Sequence, residues 1–205
     1  MSLPLPSIDT NKDSALKPLL NRRTSIRDYS NLPLNLAQLS QLLWAGQGQI
    51  TNNHKRTTAS AAGQYPIQLF VAAKNVAGLD RGLYEYQIAD HILEHCFSAD
   101  LHPELEKLAI GDQPWIGNSA AILIITADIE KMNTRFAEQP PVGQRGERYA
   151  YIETGCITQN IQLQTTETKL GSVFVGGYDN SATKALFKLT DNLEVTGLIC
   201  IGQPA

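Results

Sequence analysis

Cysteine is scarce in this chain of 205 residues. Cys96, Cys156 and Cys200 stand far apart, odd in number and without a C-x-x-C pair. That excludes a disulfide framework and a cysteine-built zinc site, and it points to a reducing compartment. Long apolar runs are missing too. The longest, Ala120–Ala127, falls far short of the roughly 20 residues that cross a bilayer. Met1–Thr10 carries Pro4 and Pro6 but no charged segment leading into an apolar one, so no secretory signal is expected. Neither sign of charge dominates: 17 Lys and Arg stand against 20 Asp and Glu, a net charge of -3. There is no general basic field for nucleic acid or a membrane, and a soluble, cytoplasmic protein that binds neither is expected. Both standard nucleotide loops, G-x-G-x-x-G and G-x-x-x-x-G-K, are absent. His54, His91, His95 and His102 are scattered and form no helical metal pair. No Ser-His-Asp or Cys-His grouping can be argued from spacing, and no side chain has an obvious nucleophile or general-base context.

The composition that is present is globular, with 42% apolar and 18% charged residues. The length suits one domain over residues 1–205, with an arm over 1–12 and a mobile excursion over 131–146 that carries a Pro-Pro step. Ser14–Leu20 predicts a turn or two of helix, interrupted near Pro18. Leucines at 36, 39, 42 and 43 follow the helical period, and Gly46 and Gly48 close that helix. Ile67–Ala73 reads as a buried strand. Gly82–Tyr86 and His91–Cys96 read as a hairpin, and Leu101–Ile110 as an amphipathic helix. Ala120–Ala127 has no polar alternation, which predicts a strand covered on both faces. Glu147–Leu170 gives the longest helical pattern, stopped by Gly171. Its soft face, mixed with Gln159, Asn160, Gln162 and Gln164, suits packing on another subunit. Ser172–Val175 and Gly197–Ile201 are strands, and Asp179–Leu189 is a helix. Strands interleaved with helices predict a mixed sheet with helices on its faces.

Three stretches could carry chemistry. Arg22–Arg27 places three arginines and two hydroxyls within six residues. A planar guanidinium gives phosphate two parallel charge-assisted hydrogen bonds, so the stretch reads as a phosphate cradle. By itself it reads more readily as a solvated basic turn. Thr57–Pro66, with Ser60, Ala61 and Ala62, has small side chains that let backbone approach a flat ligand, or it is a tight loop feeding a strand. Gly176-Gly177, at a strand end, permits positive φ and close backbone approach, or it is a plain turn. Anion-binding and backbone-approach sites without a catalytic constellation suggest that a cofactor does the chemistry.

Taken together, these stretches resemble the nitroreductase family of FMN flavoproteins, nearest to the branch containing the azoline oxidases of thiazole- and oxazole-modified peptide biosynthesis. The likeness covers most of residues 20–203. It rests on the order and spacing of Arg23-Thr24-Ser25-Ile26-Arg27-Asp28-Tyr29, Leu39–Gly48, Ser60–Pro66, Gly82–Tyr86, Gly146-Glu147-Arg148, Gly155 with Gln159-Asn160, and Gly171 followed by Val175–Asp179. The resemblance implies an α+β, nitroreductase-like fold: a mixed central sheet flanked by helices, with helix 147–170 central to a homodimer that binds FMN at its interface. Carried over by position, Arg23, Ser25 and Arg27 would contact the FMN phosphate and ribityl chain, with Thr24 beside them. Ser60, Ala61 and Ala62 would reach the flavin from the other subunit. Gly176 and Gly177 would be backbone donors at its N5/O4 edge. No protein side chain is then catalytic and no metal is needed.

The activity implied is hydride transfer from NAD(P)H through flavin N5 to an electron-poor acceptor such as a nitroaromatic or quinone, by ping-pong turnover. Two alternatives stay open. One is a dehydrogenase or oxidase of a peptide-borne or small cyclic substrate that uses O2. The other is a flavin-binding subunit without turnover. The chain departs from the family pattern in three places. Thr24 stands where Arg or His is usual, with Arg22 able to take that contact. No cation follows Gly202. Gln144-Arg145 replaces the Lys-Tyr pair of azoline oxidases, which argues against that chemistry.

Overall fold

The computed structural model describes residues 3, 5, 14–50, 55–140 and 145–205. Two short strands, β1 (Leu34–Asn35) and β3 (Val76–Ala77), pair in parallel. The other six strands form one sheet. They are β2 (Ile67–Ala73), β4 (Gly82–Gln87), β5 (Ile92–Phe97), β6 (Ala121–Asp128), β7 (Gly171–Val175) and β8 (Leu193–Gly202). Their order is β5-β4-β2-β6-β8-β7, antiparallel at every pairing. The mixture of strand directions expected in one sheet is thus divided between two.

The alternation of side chains along a strand builds two cores. Ile67, Leu69, Leu123 and Ile125 face α2 (Leu36–Gln47) and α6 (Arg145–Glu167). Phe70, Ile122, Ile124 and Leu198 face the side of α3 (His102–Leu108), α4 (Trp115–Asn118) and α7 (Asn180–Leu186). Residues 121–127 of β6 are wholly enclosed, as its unbroken apolar run requires. Each enclosed Ile or Leu contributes about 1.5–3 kcal/mol, so this strand anchors the sheet.

Helix α2 starts where Asn35 and Gln38 satisfy each other's backbone N–H groups, at 2.8 and 3.0 Å. Pro18 does not interrupt α1 (Leu16–Arg22), because it occupies the first turn, where no intrahelical donor is needed. Helix α6 ends before Gly171. Lys169, at φ 60°, makes the turn, and Gly171 instead opens β7, where a Cβ would lie 2.7 Å from Ile26.

The segment expected as an excursion begins as α5 (Ile129–Arg135), which is capped by Asp128 accepting from Lys131 N–H. Met132 and Phe136 are buried, and Phe136 meets Tyr149 of α6 edge to face at 4.8 Å. A Cβ on Gly146 would fall about 2 Å from the Met132 backbone, so glycine lets α5 lie directly on α6. Residues 141–144, and the arm over 1–12 apart from Leu3 and Leu5, lie outside the described residues.

Candidate functional site

Residues 23–28 run extended beside the C-terminal half of β8. Ile26 N–H donates to Ser172 O, Ser30 N–H to Gln203 O and Ala205 N–H to Asp28 O. Tyr29 rivets the segment down, its hydroxyl 2.8 Å from Ile26 O and 3.1 Å from Cys200 O. Its ring lies where Gly202 has no side chain; a Cβ there would be 2.7 Å from Cδ1. Burial of the Tyr29 hydroxyl pushes its pKa far above the phenol range, so this anchor stays neutral.

An extended chain sends alternate side chains to opposite sides. Arg22, Thr24 and Ile26 line a cavity of about 210 Å³ with Thr166 and Lys169. Arg23, Ser25 and Arg27 do not line that cavity. Arg27 stacks over Trp115, 5.1 Å from the ring centroid. The indole Nε1 of Trp115 is buried with no hydrogen-bond partner among the described residues. Neither Arg23 nor Arg27 has a carboxylate or carbonyl acceptor among the described residues. Two guanidiniums and a Ser25 hydroxyl without acceptors or partners among the described residues, together with the unpartnered Trp115 indole donor, fit an anionic, flat-ended ligand. Thr24 lines the cavity with Lys169 and is not part of that set.

Gly176 and Gly177 follow β7. The turn is held through the Gly177 carbonyl, which accepts from Ile110 N–H at 2.9 Å and from Gln113 Nε2 at 3.2 Å, and through Asp179 N–H on Leu108 O. Neither glycine amide takes part in those contacts. Positive φ is not used at either residue. A Cβ on Gly176 would sit 3.1 Å from the Phe174 ring, so it is compactness that glycine provides here. Gln113 and Trp115, two residues apart, link this turn to Arg27.

Ser60, Ala61 and Ala62 lie elsewhere along α6. Glu153 Oε1 accepts from Ser60 Oγ at 3.0 Å and from Ala61 N–H at 2.8 Å, and Tyr65 N–H donates back to Ser60 Oγ at 2.7 Å. The Ser60 hydroxyl is committed inside the loop, so Ala61 and the exposed Ala62 carry its outward surface. Ala62 and Tyr65 hold φ of 49° and 47°, a strained region for side-chain-bearing residues. Glu153 is only 4% exposed, and its Oε2 is buried without a partner. Burial pushes its carboxyl upward, opposed by the Ala61 and Ser60 hydrogen bonds and the nearby Arg56. Arg56 stacks on Tyr65 at 4.6 Å and donates to Gln47 Oε1 at 2.7 Å.

Arg22, Thr24 and Ile26 sit by Thr165 and Lys169, whereas the Ser60 loop sits by Glu153. Twelve helical residues separate Glu153 from Thr165, about 18 Å of rise. Within one chain the first and second stretches are not brought together; the first and third are linked through Gln113 and Trp115.

Spacing arguments missed Glu153, Arg56, Gln113 and Trp115. Glu153 had a readable signal. It falls at a core position of the Ala150, Ile157, Ile161 stripe, where a carboxylate calls for a partner. Trp115 and Arg56 had none, because their partners are remote in sequence.

The molecule is thus a helix-flanked α+β sheet, with the arginine segment along its β7 edge and the Gly176-Gly177 turn after β7. The pattern of the nitroreductase family matches residues 20–203, and the chain belongs to that family, whose members are generally flavin-dependent oxidoreductases using NAD(P)H. It is 30% identical over 191 residues to a nitroreductase relative from Methanocaldococcus jannaschii, across 93% of this chain and 91% of that one. A nitroreductase structure from Ralstonia eutropha superposes with a TM-score of 0.78 at 29% identity, covering 98% of this chain and 88% of that chain. A subunit of the Escherichia coli microcin synthetase McbBCD complex, solved with truncated pro-MccB17, shares the fold. Its TM-score is 0.77 at 20% identity, over 100% of this chain and 78% of that one.

Proposed function

We propose that this protein is an FMN-dependent oxidoreductase that takes hydride from NAD(P)H and passes it to an electron-poor acceptor such as a nitroaromatic or quinone. The observation that carries this reading is the pair of acceptor-free guanidiniums, Arg23 and Arg27, on a riveted segment beside the Gly176-Gly177 turn. When bound, FMN supplies the reversible hydride acceptor at N5. The chain's part is binding and electrostatics. Arg23 and Arg27 neutralise the phosphate, and Ser25 adds a hydroxyl for the ribityl chain. The Gly176 and Gly177 amides favour negative charge on the reduced ring.

The active form in this reading is a homodimer. The Ser60 loop and the Arg23–Arg27 segment lie at different points along α6, and a second copy supplies the loop whose Ala61 and Ala62 reach the flavin. Exposed Tyr151 and Ile152 on α6 give that contact an apolar surface. A cytoplasmic setting agrees with three free cysteines.

The test has two stages. Purified protein should be yellow and release FMN, not FAD, on denaturation; colourless protein that takes up no FMN on titration refutes the proposal. Mixed anaerobically with NADPH or NADH, the flavin should bleach and then recover on adding a nitroaromatic or quinone. A flavin that binds but does not bleach transfers support to the second reading, oxidation of a peptide-borne or small cyclic substrate with O2.

A further inference from the structure

The far edge of the sheet holds a constellation that the flavin reading leaves unused. Helix α2 faces the β4–β5 hairpin there, across the width of the sheet from β7 and the arginine strand. Ser40 Oγ lies 2.7 Å from His91 Nε2, and His91 Nδ1 lies 2.7 Å from the Tyr86 hydroxyl. The two aromatic rings meet edge to face at 5.5 Å and 85°, which fixes the imidazole plane. Tyr86 is 3% exposed, so the orienting end of the chain is rigid and dry. His91 takes φ 54° at the hairpin turn, a costly conformation for a residue with a side chain. The chain opens onto a cavity of about 300 Å³ walled by Leu36, Leu39, Leu43, Leu79, Ile92 and Leu93.

With the ring proton on Nδ1, His91 donates to the Tyr86 oxygen and its Nε2 lone pair accepts the Ser40 hydroxyl proton. That is the arrangement of an activated nucleophile: hydroxyl, base within hydrogen-bond reach, and a third group holding the base. The apolar cavity beside it is of the size and character that takes a small apolar group.

We propose that Ser40 is a second, flavin-independent reactive centre, a serine nucleophile with His91 as its general base, acylated by small apolar esters seated in this cavity. Ser40 Oγ attacks the ester carbonyl carbon as its proton passes to His91 Nε2. The carbonyl-to-alkoxy bond breaks, and His91 returns the proton to the departing alkoxide. Water, deprotonated by the same nitrogen, then cleaves the acyl-serine to a carboxylic acid and restores Ser40. Tyr86 is a positioning residue for the imidazole.

The flavin-loaded protein is treated with an alkyl fluorophosphonate and analysed by intact mass and peptide mapping, and p-nitrophenyl butyrate hydrolysis is followed in parallel. The expected result is one adduct on the Ser40 peptide, and p-nitrophenol release that falls about 100-fold in Ser40→Ala and in His91→Gln, the lower end of what a positioned base contributes. Flavin content and melting temperature should be unchanged in both. Tyr86→Phe should lower kcat with little change in KM. No adduct on Ser40, or equal hydrolysis by the wild type and Ser40→Ala, overturns the proposal. Flavin-free wild type should hydrolyse the ester at the same rate, so failure here and failure of the oxidoreductase reading are separate results.

Discussion

Removing the Glu153 carboxylate tests whether α6 shapes the Ser60 loop. Glu153→Ala deletes two hydrogen bonds to a buried carboxyl, from Ser60 Oγ and Ala61 N–H. Each contributes about 1.5–3 kcal/mol. The buried, unpartnered Oε2 already costs the folded state, and its removal offsets part of that loss. A net destabilisation of about 3 kcal/mol is expected. For a chain of this length that is about 6–12 °C in melting temperature. Glu153→Gln keeps one acceptor oxygen and places a donor where the orphan oxygen stood, so it should cost about 1 kcal/mol or less. A double-mutant cycle with Ser60→Ala should give a coupling of about 1–2 kcal/mol. Urea melts of flavin-free protein measure all three. Loss of flavin affinity in Glu153→Ala, with both arginines intact, would follow from the released Ala61-Ala62 backbone. An alanine variant as stable as the wild type, or a glutamine variant as damaged as the alanine one, would refute the reasoning.

Three further outcomes are expected. The double change Arg23→Ala and Arg27→Ala should weaken FMN binding by several kcal/mol, since each lost charged contact costs about 1.5–3 kcal/mol; unchanged affinity on flavin titration would show the cradle to be elsewhere. Gly202→Ala should push Tyr29 and the strand it rivets, because a Cβ would lie 2.7 Å from its ring; FMN affinity should drop about tenfold without loss of any charge, and an unmoved titration curve would contradict the rivet. Buried His102, whose Nδ1 lies 3.5 Å from Asp100 Oδ1 and whose ring nitrogens have no hydrogen bond among the described residues, has its pKa pushed down to about 4 by desolvation, opposed by Asp100. Its folded pKa lies below the unfolded 6.5, so stability is lost as pH falls from 6.5 towards 4, by up to about 3 kcal/mol. Urea midpoints should decline more gently with acid in His102→Leu, and parallel curves would rule this out.

Element by element, much was legible along the chain. The run Ala120–Ala127 announced a strand with both faces covered, and β6 is that strand. The leucine period marked α2, and the alternation and turn around residues 87–91 marked the β4–β5 hairpin. Where the reading failed, a contact remote in sequence had overridden local chemistry. Residues 129–135 became helix because Met132 and Phe136 found α6, where Gly146, marked along the chain only as part of a motif, leaves room for the Met132 backbone. Lys169, not Gly171, turns the chain out of α6, because Gly171 is needed against Ile26.

The same division runs through the site. The residue types at Arg23, Ser25, Arg27, Gly176 and Gly177, and hence the family, were determined by sequence alone, because guanidinium charge and the absence of a side chain are properties of the residue itself. Which of them lie together, and what holds them, was decided by tertiary structure. Thr24 faces the cavity with Thr166 and Lys169 that Arg27 does not line, and Tyr29 tied the segment to Cys200. The Ser60 hydroxyl was given to Glu153, and Ser40 and Tyr86 were each brought to 2.7 Å from His91, from 51 and 5 residues away in the chain. Hydrogen bonds of that length depend on three-dimensional placement, and no spacing along the chain encodes it.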